Sequence, residues 1–121
     1  MDIATKKSKV FAVKIVNLYK KLCAENKEFV MSKQLLRSGT SIGANLAEAE
    51  YAFSTKDYIS KKSIALKECA ETNYWLELLC NTNYIDQKIY GELQSECTEI
   101  IKLLFSSIKS LRKQESVTNV K

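Results

Sequence analysis

Residues 34–50 read QLLRSGTSIGANLAEAE, and this stretch decides the fold. At about 100° per residue, Gln34, Arg37, Ser41, Asn45 and Glu48 fall on one narrow stripe, and Leu35, Ile42, Leu46, Ala49 and Phe53 on another. The period is helical. Most of the remaining surface is small: Ser38, Gly39, Thr40, Gly43, Ala44 and Ala47. A solvated helix carries charge on its outer face, yet Arg37 and Glu48 are the only charges between Gln34 and Ala49. The pattern predicts a helix with no solvated outer face. Two interior glycines cost about 1 kcal/mol each relative to alanine, and close approach of another backbone is the usual compensation. Gly39, Gly43 and Ala47 are therefore candidate close-packing positions.

Working outward, three further amphipathic segments accompany this one. Phe11, Ile15, Leu18 and Leu22 repeat at 4-3-4 spacing and predict a first helix over about residues 5–24. The helix containing the quoted stretch is placed at about 30–52. Ser54-Thr55-Lys56-Asp57 has the form of a capping box and starts a third helix over 55–81. Its expected buried positions are Tyr58, Ala65, Leu66, Cys69, Thr72, Leu76 and Leu79, and its period is lost at Asn81-Thr82-Asn83. Ile89, Leu93, Cys97, Ile100, Leu104, Ile108 and Leu111 keep 4-4-3 spacing and predict a fourth helix over about 86–112. Residues 114–121 are polar and are expected to form a flexible tail.

Short connections favour antiparallel neighbours, so the expected architecture is all-α: an up-down-up-down four-helix bundle forming one domain over residues 1–113. With the turn between helices 2 and 3 near Ser54, residues whose numbers sum to about 108 share a height. Arg37 is then level with Glu71, and Glu48 with Ser60 and Lys61. Arg37 and Glu48 lie roughly 16 Å apart along one helix and cannot pair with each other, so their partners must come from other helices. An Arg37–Glu71 ion pair is expected, within the chain or across a subunit contact.

Composition bounds the chemistry. Proline is absent from the 121 residues, 45% are apolar, and no apolar run approaches the ~18 residues of a membrane span. The N-terminus lacks the apolar core of a signal peptide, which predicts a cytoplasmic protein. Cys23, Cys69, Cys80 and Cys97 form no CxxC pair and read as small buried hydrophobes kept as thiols, not as metal ligands. Histidine is absent, which removes Ser-His and Cys-His nucleophile pairs and most catalytic zinc sites. Paired carboxylates at the spacing of di-iron bundles are missing too. No catalytic residue, metal, cofactor, membrane partner or small-molecule substrate is expected. Gln34, Arg37, Ser38, Ser41, Asn45, Glu48 and Glu71 instead suit a structural motif, since buried polar groups on packed helices fix register and oligomer state.

The net charge of +5 is carried by residues 1–27, where seven lysines face Asp2 and Glu25. Lys6, Lys7, Lys9, Lys14, Lys20 and Lys21 are thus candidate nucleic-acid contacts, the alternative being a solvated helix face. Tyr74, Trp75 and Tyr84 either stack bases or, more simply, pack over the bundle end.

Gln34-Leu35-Leu36-Arg37-Ser38, Ser41-Ile42 and Asn45-Leu46-Ala47-Glu48-Ala49 closely resemble the signature helix of the four-helix-bundle proteins first noted as open reading frames in intervening sequences of bacterial 23S ribosomal RNA genes. The resemblance continues through Asp57-Tyr58-Ile59, Ile64-Ala65 and Glu71-Thr72-Asn73-Tyr74-Trp75-Leu76 and covers nearly the whole chain. Ala49 stands where many relatives have glycine, a minor departure. The resemblance implies a homopentameric ring, no enzymatic activity, and a link to RNA or a ribonucleoprotein. A distant relative is the accessory protein of diversity-generating retroelements, which binds reverse transcriptase and nucleic acid; that role is too remote to carry over. The expected function is a non-enzymatic homo-oligomeric module associating with RNA or a ribonucleoprotein through a basic surface. The alternative is a protein-interaction ring without nucleic-acid contact.

Overall fold

The computed structural model describes residues 2–119, the side chains of 117–119 excepted, and consists of four α-helices: α1 (Ile3–Asn26), α2 (Met31–Ala49), α3 (Thr55–Asn81) and α4 (Gln87–Asn119). No strand occurs among the described residues. The backbone of each helix approaches the two beside it in the order α1, α2, α3, α4 and back to α1, while the diagonal pairs α1–α3 and α2–α4 show no such close backbone approach. The core fills the space between them. Phe11, Ile15 and Leu22 of α1, Leu35, Ile42 and Leu46 of α2, Cys69, Leu76 and Leu79 of α3, and Cys97, Ile100 and Leu104 of α4 are all buried. Their 3–4 residue spacing is what sends one stripe of each helix inward.

Local chemistry sets the helix ends. Asp2 caps α1, its carboxylate accepting from the Thr5 amide at 2.8 Å. At the other end Lys27 adopts the left-handed conformation with φ 53°, turning the chain so that the Glu28 amide donates to the Leu22 carbonyl at 3.1 Å. α1 is therefore longer at both ends than its apolar stripe suggests. The hydroxyl of Ser54 accepts from the Asp57 amide at 3.0 Å, while the Asp57 carboxylate accepts from Phe53, one residue before the cap, at 3.2 Å. Asp86 starts α4 by accepting from the Ile89 amide at 2.8 Å.

Three differences separate the structure from the sequence reading, the first two with local causes in the backbone. α2 stops at Ala49, short of residue 52, because the amides of Glu50, Tyr51 and Ala52 donate to the carbonyls three residues back, a tighter winding that redirects the chain. Phe53 is consequently off the apolar stripe and 100% exposed. α4 does not end near Arg112 but stays helical to Asn119, since polar residues without glycine or proline continue a helix as readily as they fray it; the last two residues of the tail expected over 114–121 lie outside the described residues. On α3, Ile59 and Lys62 are buried, whereas Tyr58 and Leu66 are half-buried.

Candidate functional site

The polar stripe of α2 is stitched to α3 at both ends. Arg37 donates to the carboxylates of Glu71 and, at 3.2 Å, Glu68. Eleven residues on, Glu48 meets Lys61 at 3.3 Å. Between them the buried Thr72 hydroxyl donates to Ser38 at 3.0 Å. The ion pair expected from the height of Arg37 and Glu71 is present, and it extends further than expected. The Trp75 indole donates to the same Glu71 oxygen at 3.0 Å, and Tyr74 packs edge-on against Trp75 at a ring distance of 5.0 Å. Hydrogen bonding from Arg37, then from Trp75, holds the Glu71 carboxyl below the usual glutamate range. Glu68 was not singled out from the sequence, and Trp75 only as a base-stacking or end-packing aromatic, although their offsets of three and four from Glu71 put all three on one face of α3.

The other motif residues are less engaged. The Asn45 side chain donates to the carbonyl and hydroxyl of Ser41, one turn back on its own helix, at 2.9 and 3.1 Å. Gln34 is exposed. Arg37, Ser38, Asn45 and Glu48 of the motif thus each hold a partner within the chain.

The two glycines pack inside the chain. A β-carbon on Gly43 would come 3.2 Å from the Ser8 hydroxyl and 3.6 Å from the Ser8 carbonyl oxygen, so α1 and α2 approach closely here. A shallow groove of about 280 Å³ between them is floored by Ser8, Ala12, Gly43 and Ala44. Ala44 and Ala47 are exposed, and Thr40 is half-buried. In the single chain α2 does present an outer face, and that face is small and uncharged between Arg37 and Glu48.

Among the basic candidates on α1, Lys6, Lys9, Lys14, Lys20 and Lys21 are exposed and Lys7 is half-buried. Lys7 and Lys14 are paired with α4, Lys7 with Glu99 at 2.9 Å and Lys14 with Glu96 at 2.7 Å. Exposed Ile3, Val10 and Val13 interrupt the same face. Tyr74 and Tyr84 are exposed, while Trp75 is half-buried against Glu71.

Two charged residues do unforeseen structural work. The buried Lys62 ammonium donates to the Ser107 hydroxyl at 2.8 Å, lies 3.6 Å from the Asp2 carboxylate and sits over the Tyr58 ring. Burial pushes the Asp2 carboxyl up, but hydrogen bonds from Thr5 and the Lys62 charge outweigh it and leave the group below its ordinary value. Glu28, also buried, caps α2 by accepting from the amides of Val30, Met31 and Ser32 at 3.0, 3.2 and 2.7 Å. Cys69, Cys80 and Cys97 are buried and Cys23 half-buried, all as free thiols. Among the described residues no group of His, Cys, Asp and Glu side chains could hold a metal ion, and no helix is long and apolar enough to cross a membrane.

Fold and motif together define a four-helix, all-α protein whose second helix carries a small, uncharged outer face bounded by the ion pairs of Arg37 and Glu48 with the third. Residues 2–106 match the family model of the 23S rRNA-intervening sequence protein, and the chain belongs to that family. It is similar to the crystal structure of a protein of unknown function from the S23 ribosomal protein family of Bacteroides thetaiotaomicron. The two share 61% identity and superpose with a TM-score of 0.87 over 88% of this chain and 99% of that one. Comparison with curated proteins gives no match.

Proposed function

We propose that this chain is a non-enzymatic, homo-oligomeric module of the cytoplasm, an antiparallel four-helix bundle that assembles into a ring and associates with RNA or a ribonucleoprotein through a basic surface. Five copies is the number the family resemblance implies. The observation that carries the assembly is the outer face of α2: Thr40, Ala44 and Ala47 offer neither charge nor bulk. A helix facing water gains from charge, whereas a helix facing another helix gains from small residues that let backbones approach. The antiparallel orientation is supported by the order of the ion pairs, since Arg37 meets Glu71 while Glu48, further along α2, meets the earlier Lys61.

The RNA association is supported by the net charge of +5 and by the ribosomal-RNA context in the family's name. A non-enzymatic role is supported by the absence of histidine and by the engagement of Arg37 with Glu71 and of Glu48 with Lys61. A second reading, a protein-interaction ring without nucleic acid, is favoured by the pairing of Lys7 and Lys14 with Glu99 and Glu96 and by the exposed Val10 and Val13 beside them.

Light scattering on the full chain tests the assembly, with an oligomer expected and a monomer overturning it. Ala44→Glu should lower the mass while leaving the helix content unchanged. An RNA titration separates the two readings: affinity that falls steeply between low and moderate salt supports the first, and no binding at low salt leaves the second.

A further inference from the structure

Besides Lys6, Lys9, Lys20 and Lys21 on α1, a second group of cations without a carboxylate partner gathers between α3 and α4. On α3, Lys56, Ser60, Ser63 and Lys67 follow one another at 4-3-4 spacing and so share one stripe. On α4, Phe105, Lys109, Arg112 and Ser116 repeat the same spacing. The two stripes face each other across adjoining open grooves of about 680 and 450 Å³, which share Ser63 and Arg112.

Lys56, Lys67, Lys109 and Arg112 line these grooves against one carboxylate, Glu115. Among the described residues none of the four lies within ion-pair distance of an acid. Asp57, on the first turn of α3, is occupied by the Phe53 amide. The contrast with the α1–α4 groove is electrostatic. There Lys6 and Lys7 are set against Glu96 and Glu99, so a phosphate entering it meets two carboxylates. A phosphate entering the α3–α4 groove meets unpaired cations and the hydroxyls of Ser60 and Ser63.

Phe105 adds an aromatic face to this cationic groove. The residue is 62% exposed and lies among the cations at the groove wall. A cationic groove that tracks a backbone, joined to an aromatic face on which a base can stack, is how single strands are held without sequence readout. A duplex keeps its bases stacked inside and has no use for such a ring. The α3 stripe from Lys56 to Lys67 spans roughly 16 Å, room for a short run of nucleotides.

We propose that the α3–α4 groove binds single-stranded RNA, with Lys56, Lys67, Lys109 and Arg112 contacting phosphates and Phe105 stacking on a base. The inference rests on the RNA reading above and gives it a site different from the α1 lysines.

Fluorescence anisotropy of a labelled, unstructured oligoribonucleotide of about a dozen residues, titrated with the full chain, tests it. Lys109→Gln with Arg112→Gln should weaken binding about tenfold or more at low salt and flatten the salt dependence by about 0.7 log unit per lost phosphate contact. Phe105→Ala should weaken binding about fivefold or more with the salt dependence unchanged. On the rival face, Lys20→Gln with Lys21→Gln should change affinity by less than about twofold. Where the α4 pair disturbs folding, Lys67→Gln on the opposite wall gives the same reading. Affinity lost with Lys20 and Lys21 but kept without Lys109 and Arg112 overturns the groove and leaves the RNA reading standing. No binding by the unaltered chain at low salt overturns both.

Discussion

Gly39 of α2 lies so close to Ile15 of α1 that a β-carbon built on the glycine would fall 2.8 Å from the Ile15 Cγ2 atom. Ile15 is fully buried, and its branched β-carbon leaves it few rotamers in a helix. Gly39→Ala therefore sets an overpacking cost of about 1–3 kcal/mol against a helix-propensity gain of about 1 kcal/mol. The expected result is a net loss of about 1 kcal/mol. Gly91 has nothing within 4 Å of such a carbon, so Gly91→Ala should instead gain about 0.5–1 kcal/mol. Urea denaturation midpoints compare the two, and a stabilised Gly39→Ala would show that Ile15 yields and that this contact is not what requires glycine.

Lys62 is held as much by its stem as by its charge. Its ammonium reaches Ser107 and Asp2, but Asp2 is nearly half exposed and stays solvated if the lysine is removed. Lys62→Met keeps the buried aliphatic volume and should cost less than about 1 kcal/mol. Lys62→Ala leaves a void among α1, α3 and α4 and should cost roughly 2 kcal/mol or more. Equal losses in thermal denaturation would assign the stability to the ammonium and contradict the packing argument.

Glu28 closes the start of α2. Its loss leaves the amides of Val30, Met31 and Ser32 without their acceptor, and Ser32 is too buried for water to replace it. Glu28→Ala should cost about 1–2 kcal/mol, and Glu28→Gln, which keeps an acceptor oxygen but loses the charge at the helix N-terminus, less than that. Melting curves in which Glu28→Ala matches the unaltered chain would show that the cap contributes nothing net.

These charged residues mark where the sequence was legible and where it was not. Periodicity places the four apolar stripes, and Ser54 with Asp57 marks the start of α3, because both signals are local. The Arg37–Glu71 pair followed from height alone, since a turn near Ser54 sets the register of α2 against α3. Lys61 and Lys62 are different. They are chemically identical neighbours separated by about 100° around the helix, one reaching outward to Glu48 and the other inward to Ser107, and only the packing of α4 distinguishes them. Glu28 was hidden for a similar reason: glutamate is not among the preferred capping residues, and its role depends on the left-handed turn at Lys27. Neutralisation of Lys7 and Lys14 needs α4 beside α1, which charge counting along the chain does not reveal.

The Arg37–Glu71–Trp75 cluster gives the fold an acid-sensitive contact. Arg37 and Trp75 hold the Glu71 carboxyl below the ordinary glutamate range, so the folded state binds this proton less readily than the unfolded chain. The resulting stability is complete above the unfolded-chain value and is lost as pH falls through the depressed folded one. Arg37 is about half exposed, which limits the contribution to within about 1 kcal/mol and makes it weaken with salt. Glu71→Gln keeps an acceptor for the Trp75 indole but removes the charge. The gap in melting temperature between the unaltered chain and Glu71→Gln should be widest near neutral pH and close on acidification below about pH 4. Added salt at neutral pH should narrow it as well. A gap that neither acid nor salt diminishes would assign the difference to side-chain packing and remove the ion pair as its cause.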